Sequence, residues 1–76
     1  MTNEAKRKDR IETIYRQVKA CNDKGVACNR EKLILAYQID LGFSKRIVVE
    51  YLNLLISAER LEDKDGELWI SQNPLI

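Results

Sequence analysis

Apolar residues fall at Ile11, Ile14, Tyr15, Val18 and Cys21, the recurring three- and four-residue spacing of an amphipathic helix. That stripe predicts a first helix from about Asn3 to Cys21. Asn22-Asp23-Lys24-Gly25 interrupts it, with Gly25 suited to the positive φ that ends helices. Val26-Ala27-Cys28 is an apolar piece too short for more than a minimal strand. Asn29 is a good N-cap, and Glu31 suits the positive end of a helix dipole. A second helix is therefore expected to about Ile39 or Asp40, with Leu33, Ile34, Ala36 and Tyr37 on its apolar side.

Gly42 breaks that pattern, and Ser44 is the natural cap of a third helix, 44–58. Phe43, just before the cap, is placed to pack on Val48 as a hydrophobic staple. At 100° per residue Val48, Tyr51, Leu52, Leu55 and Ile56 share one arc, widened by Ile47, Leu54 and Ala58. Lys45, Arg46, Val49, Glu50, Asn53 and Ser57 are left facing outward. Beyond residue 60, Asp65-Gly66 between short apolar-containing segments predicts a hairpin. Strand alternation separates Trp69 from Leu68 and Ile70. Either Trp69 lies outside, or it packs inward with Leu61 as core.

The predicted order is helix, short extended piece, helix, turn, helix, hairpin: an α+β domain. Seventy-six residues make one domain, 1–76, with a basic N-terminal segment open to fraying (1–10) and a C-terminal tail (72–76). Tyr15, Tyr37 and Tyr51 sit on helical stripes as core residues with a wet hydroxyl. No apolar run approaches the roughly 20 residues of a membrane span, so no membrane partner is expected. The charged N-terminus has no apolar secretion segment. The expected location is cytoplasmic, and nucleoid-associated for a DNA binder.

Net charge of +1 conceals an asymmetry. Residues 1–32 carry nine Lys/Arg against five Asp/Glu, and residues 33–76 carry four against seven. A basic first half points to a polyanion or acidic partner there. Lys6, Arg7, Lys8 and Arg10 are the densest cations, with Arg30 and Lys32 opening the second helix. These are phosphate candidates. On the third helix, Lys45 and Arg46 suit guanine edges or phosphates, Asn53 suits adenine, and Val49 suits a thymine methyl.

Histidine is absent and there are two cysteines, Cys21 and Cys28, so a one-chain zinc site is not expected. The pair reads as two small thiols or as a short-loop disulfide. With no histidine base, no glycine-rich phosphate loop and little volume for a pocket, neither an enzyme nor a cofactor or small-molecule substrate is expected.

Gly42-Phe43-Ser44-Lys45-Arg46-Ile47-Val48-Val49-Glu50-Tyr51-Leu52 resembles the turn and recognition helix of the winged helix-turn-helix family. Arg60 to Ile70 resembles that family's hairpin wing, and the likeness spans about Ile11 to Ser71. Three positions depart from the family pattern. Ile47 stands for a polar residue, Glu59 for a helix-breaking glycine, and the hairpin 62–67 carries four acids and one lysine. The resemblance implies a winged-helix fold and a small sequence-specific binder of double-stranded DNA, expected to regulate transcription. A reader this small gains site length as a homodimer. The alternative within the same resemblance is a protein-interaction or dimerisation module using the acidic hairpin, Trp69 and the tail residues Leu75 and Ile76.

Overall fold

Capping chemistry at the helix ends sets the course of the chain. A computed structural model describes residues 3–71. Leu75 and Ile76 lie outside the described residues. Helix α1 (Asn3–Asp23) continues through the basic segment at its start and one turn past Cys21. It stops when Gly25 turns to φ +83°. The Gly25 N–H then reaches Asn22 O at 2.8 Å and the Val26 N–H reaches Cys21 O at 3.2 Å. These are the two bonds that satisfy the last orphan carbonyls of a helix.

Strand β1 (Cys28–Asn29) follows, and Asn29 also caps α2 (Arg30–Leu41), its side chain accepting from the Lys32 N–H at 2.9 Å. Gly42, at φ +69°, closes α2 with its N–H on Tyr37 O. Ser44 caps α3 (Lys45–Ser57), accepting from the Ile47 N–H at 3.2 Å. Phe43 lies half-buried, edge-on to Tyr37 with ring centroids 6.1 Å apart. Where the family pattern has a glycine, Glu59 itself takes the left-handed conformation, φ +58°. Its N–H bonds Ile56 O at 3.0 Å and the Arg60 N–H bonds Leu55 O at 2.9 Å, the same closure that ends α1.

Strands β2 (Leu61–Lys64) and β3 (Glu67–Ile70) form the hairpin, in register from Leu61 opposite Ile70 to Lys64 opposite Glu67. Asp65 and Gly66 both have positive φ, +55° and +85°, the two-residue turn that matches strand twist. β1 joins the other edge of β3 through Cys28 opposite Leu68, so the antiparallel order is β1-β3-β2. Ile70 extends past the end of β1. Its N–H is taken instead by the Asn22 side chain at 2.7 Å, which also donates to Leu68 O at 3.4 Å.

The result is a small α+β fold with three helices and a three-stranded antiparallel sheet among the described residues. Ile14, Val18, Val48, Leu52 and Leu68 are completely buried, joined by Leu33, Ile34, Tyr37, Tyr51, Leu55 and Leu61. No described polar or charged residue is buried with them. Leu68 and Ile70 face this core, and Trp69 lies half-buried on the opposite face of the sheet across from Glu62. The alternative of Trp69 packed inward with Leu61 is thereby overturned, because strand alternation commits Leu61 and Leu68 to the inner face. Ala36, assigned to the apolar side of α2, is exposed. No helix among the described residues is long and apolar enough to cross a membrane.

Outside the core, Arg60 ties the start of the hairpin to α1. Its guanidinium donates to both Glu12 carboxylate oxygens, at 2.7 and 3.5 Å, and lies 4.2 Å from the Tyr15 ring centroid. That hydrogen bond, against a smaller opposing effect of burial, holds the Glu12 carboxyl below its ordinary range.

Two outcomes follow. Glu59→Gly stabilises the fold by about 0.5–1 kcal/mol in urea unfolding, since left-handed backbone costs a side-chain-bearing residue roughly 1 kcal/mol and the looser unfolded chain returns part of it. Glu12 has a lowered folded-state pKa, so its stabilisation is complete above the ordinary glutamate range and is lost as pH falls through the lowered value. Thermal melts from pH 6 down to pH 3 therefore fall less steeply in Glu12→Gln than in the wild type.

Candidate nucleic-acid interface

The buried arc of α3 leaves a strip of Arg46, Val49, Glu50, Asn53, Leu54 and Ser57, which lines an open hollow of about 360 Å3. Arg46, Glu50 and Asn53 are exposed, and Val49 is half-buried with one side against the core. Lys45 is exposed too, but lies about 100° around the helix from Arg46 and does not line the hollow. Of the four α3 residues predicted to meet a base pair, three share one strip.

Two contacts place the basic end of α1 beside this helix. Arg7 Nη2 is 3.4 Å from Glu50 Oε1, with both side chains about half exposed. Arg10 stands over the ring of Phe43, 4.8 Å from its centroid, one residue before the α3 cap. Lys6 and Lys8 are exposed on the same turns. Arg7 and Lys8 also border a second open hollow, about 610 Å3, between α1 and α3. Its apolar lining comes from Ile11, Leu54, Leu55 and Ala58. An ion pair this exposed contributes little to folding. Its larger effect is to offset the one carboxylate on the α3 strip.

The cations that open α2 are placed differently. Arg30 donates to Asp63 Oδ2 at 2.8 Å, both side chains being about a quarter exposed, and its backbone N–H reaches Gly66 O at 2.9 Å. It clasps the hairpin. Contact with a phosphate requires it to leave that carboxylate. Lys32 is exposed but lines a separate hollow between α1 and α2, beside Cys21 and Cys28. Lys32 and Arg30 therefore do not join the α3 strip. The hairpin remains acidic, with Lys64 only 3.8 Å from its own neighbour Glu62.

One surface escaped the sequence pattern. Leu35 and Ile39 are exposed on α2, Ile39 by 78%. They are four residues apart, directly opposite Leu33, Ile34 and Tyr37, and that opposition was the available signal. Among the described residues, no three His, Cys, Asp or Glu side chains group to hold a metal ion.

No family model matches the chain, and no curated protein or solved structure matches it either.

The two arginines separate by role in unfolding experiments. Arg7→Ala changes stability by less than about 0.5 kcal/mol, as expected for a surface cation. Arg30→Ala costs about 1 kcal/mol, because it removes the ion pair to Asp63 that clasps the hairpin. Urea titrations of both variants check the pair of values.

Proposed function

We propose that this chain is a winged helix-turn-helix protein that binds double-stranded DNA sequence-specifically and regulates transcription as a homodimer. In this reading α3 enters the major groove. Arg46, Val49 and Asn53 face base edges, Lys45 meets a base edge or phosphate at the groove margin, and Lys6, Arg7 and Lys8 hold the backbone. The helix order, with β1 between α1 and α2 and a hairpin after α3, is compatible with that fold. The observation that carries the reading is the placement of α1. Its basic turns run along α3, through Arg7 at Glu50 and Arg10 at Phe43, so phosphate-seeking cations flank the strip. Arg7 also masks the Glu50 carboxylate, which would otherwise repel phosphate from the middle of that face.

A second reading is a protein-interaction module. It is favoured by the acidic hairpin, whose Asp63 occupies Arg30, and by Trp69 on the outer sheet face. Leu75 and Ile76 would extend that contact.

Electrophoretic mobility shifts separate the two. A random duplex is retarded at low salt and released as salt rises, and a duplex selected for the protein is held more tightly. Lys45→Ala/Arg46→Ala weakens the selected complex at least tenfold, each good base contact being worth about 1–3 kcal/mol. Lys6→Ala/Lys8→Ala weakens all duplexes alike and lowers the salt slope by about two. No shift at any salt, with a partner released by Trp69→Ala in sedimentation, replaces the DNA reading by the interaction reading.

A further inference from the structure

Cys21 and Cys28 come from different elements yet face one space. Cys21 lies near the end of α1, half-buried, and Cys28 is the first residue of β1, buried opposite Leu68. The turn between them is closed by the Gly25 and Val26 N–H bonds to Asn22 O and Cys21 O, which brings the chain back beside the helix. Both side chains line the same open hollow of about 610 Å3, with Gln17, Ala36 and Tyr37 around it. Cys21 lies near enough to Cys28 to raise its pKa, so the two thiols are neighbours across this hollow in the reduced protein.

We propose that Cys21 and Cys28 form a reversible redox site, closing to an intramolecular disulfide in the folded protein when a small-molecule disulfide or a peroxide enters this hollow. With glutathione disulfide the chemistry balances in two displacements. The Cys21 thiolate attacks the reagent's S–S bond, forming a mixed disulfide and releasing one glutathione thiolate. Cys28 then loses its proton to solvent and attacks the Cys21 sulfur, expelling the second glutathione. The two thiols supply two electrons, and the reagent leaves as two reduced thiols. With peroxide, Cys21 is oxidised to the sulfenic acid and Cys28 displaces water from it.

Access and acidity set this order. Cys21 is only partly buried where it lines the hollow, whereas burial, together with Cys21 itself, pushes the Cys28 thiol up to about 12. Cys28 is the resolving group rather than the first nucleophile. Closing an eight-residue loop removes freedom from the unfolded chain, so the oxidised protein melts roughly 10 °C higher than the reduced one.

The test treats the folded wild type with glutathione disulfide well below its melting temperature. Non-reducing peptide mapping and melts are then run before and after dithiothreitol. Expected are a Cys21–Cys28 cross-linked peptide, no retained glutathione, a higher melting temperature, and reversal of all three by the reductant. Cys28→Ala, checked for folding by circular dichroism, traps glutathione on Cys21. Glutathione retained on wild-type Cys21, two thiols left free, chain-to-chain disulfides alone, or a lower melting temperature on oxidation each overturns the proposal. The wild-type map decides even where the alanine variant fails to fold. This site is independent of the DNA reading, which stands or falls on mobility shifts.

Discussion

Strand β3 is the constraint around which the rest is arranged. It has four residues and lies at the centre of the sheet, flanked by a four-residue strand on one side and a two-residue strand on the other. Its inner side chain Leu68 is completely buried, so a helix has to cover that face. Its backbone also needs partners where β1 runs out, and an unpaired buried N–H costs about 1–3 kcal/mol. Asn22 supplies both sides of that requirement, accepting from Ile70 and donating to the Leu68 and Val26 carbonyls. One amide side chain at the end of α1 thus stands in for the missing length of β1.

Fixing the end of α1 on β3 has consequences at its other end. Ile14 and Val18 settle into the core, and Glu12 grips Arg60 at the root of the hairpin. Between these points the helix has little freedom to rotate. Its first turns then pass α3, which is why Arg7 reaches Glu50 and Arg10 reaches Phe43. The juxtaposition of cations with the α3 strip is therefore a by-product of how the sheet is completed. Geometry made for folding carries the surface on which the functional reading rests.

Much of this was legible in the chain. Ser44 and Asn29 cap as their chemistry dictates, Asp65-Gly66 makes the expected tight turn, and the α3 arc buries Val48, Tyr51, Leu52 and Leu55. These are local rules, each needing only a few neighbouring residues. What escaped was non-local. Nothing near Asn22 announces that its amide completes a strand 48 residues away, and it reads as a helix breaker. Arg30 looked like a free cation at a helix start because Asp63 is distant in sequence. Glu59 gave no local sign of the left-handed conformation, φ +58°, that it adopts just past the end of α3. In the site, periodicity placed Arg46, Val49 and Asn53 together, but no periodicity could place Arg7 beside them.

The acidity of the hairpin looks different once its four acids are separated. Asp63 accepts from the Gly66 N–H at 2.8 Å as well as from Arg30, so the turn and the α2 clasp both depend on it. Asp65 occupies a left-handed position that aspartate tolerates better than most residues. Two of the four acids are thus explained by the fold itself. Glu62 and Glu67 remain, on the outer sheet face with Trp69 and Lys64. Carboxylates there resist a polyanion, while the cations of α1 and the first turn of α3 attract one. Under the proposed DNA-binding reading, this charge arrangement would orient a duplex before any base is read. In that reading the duplex would be drawn toward α3 along the α1 side and turned away from the outer face of the hairpin, and a helix-led contact would not need a hairpin that grips phosphate.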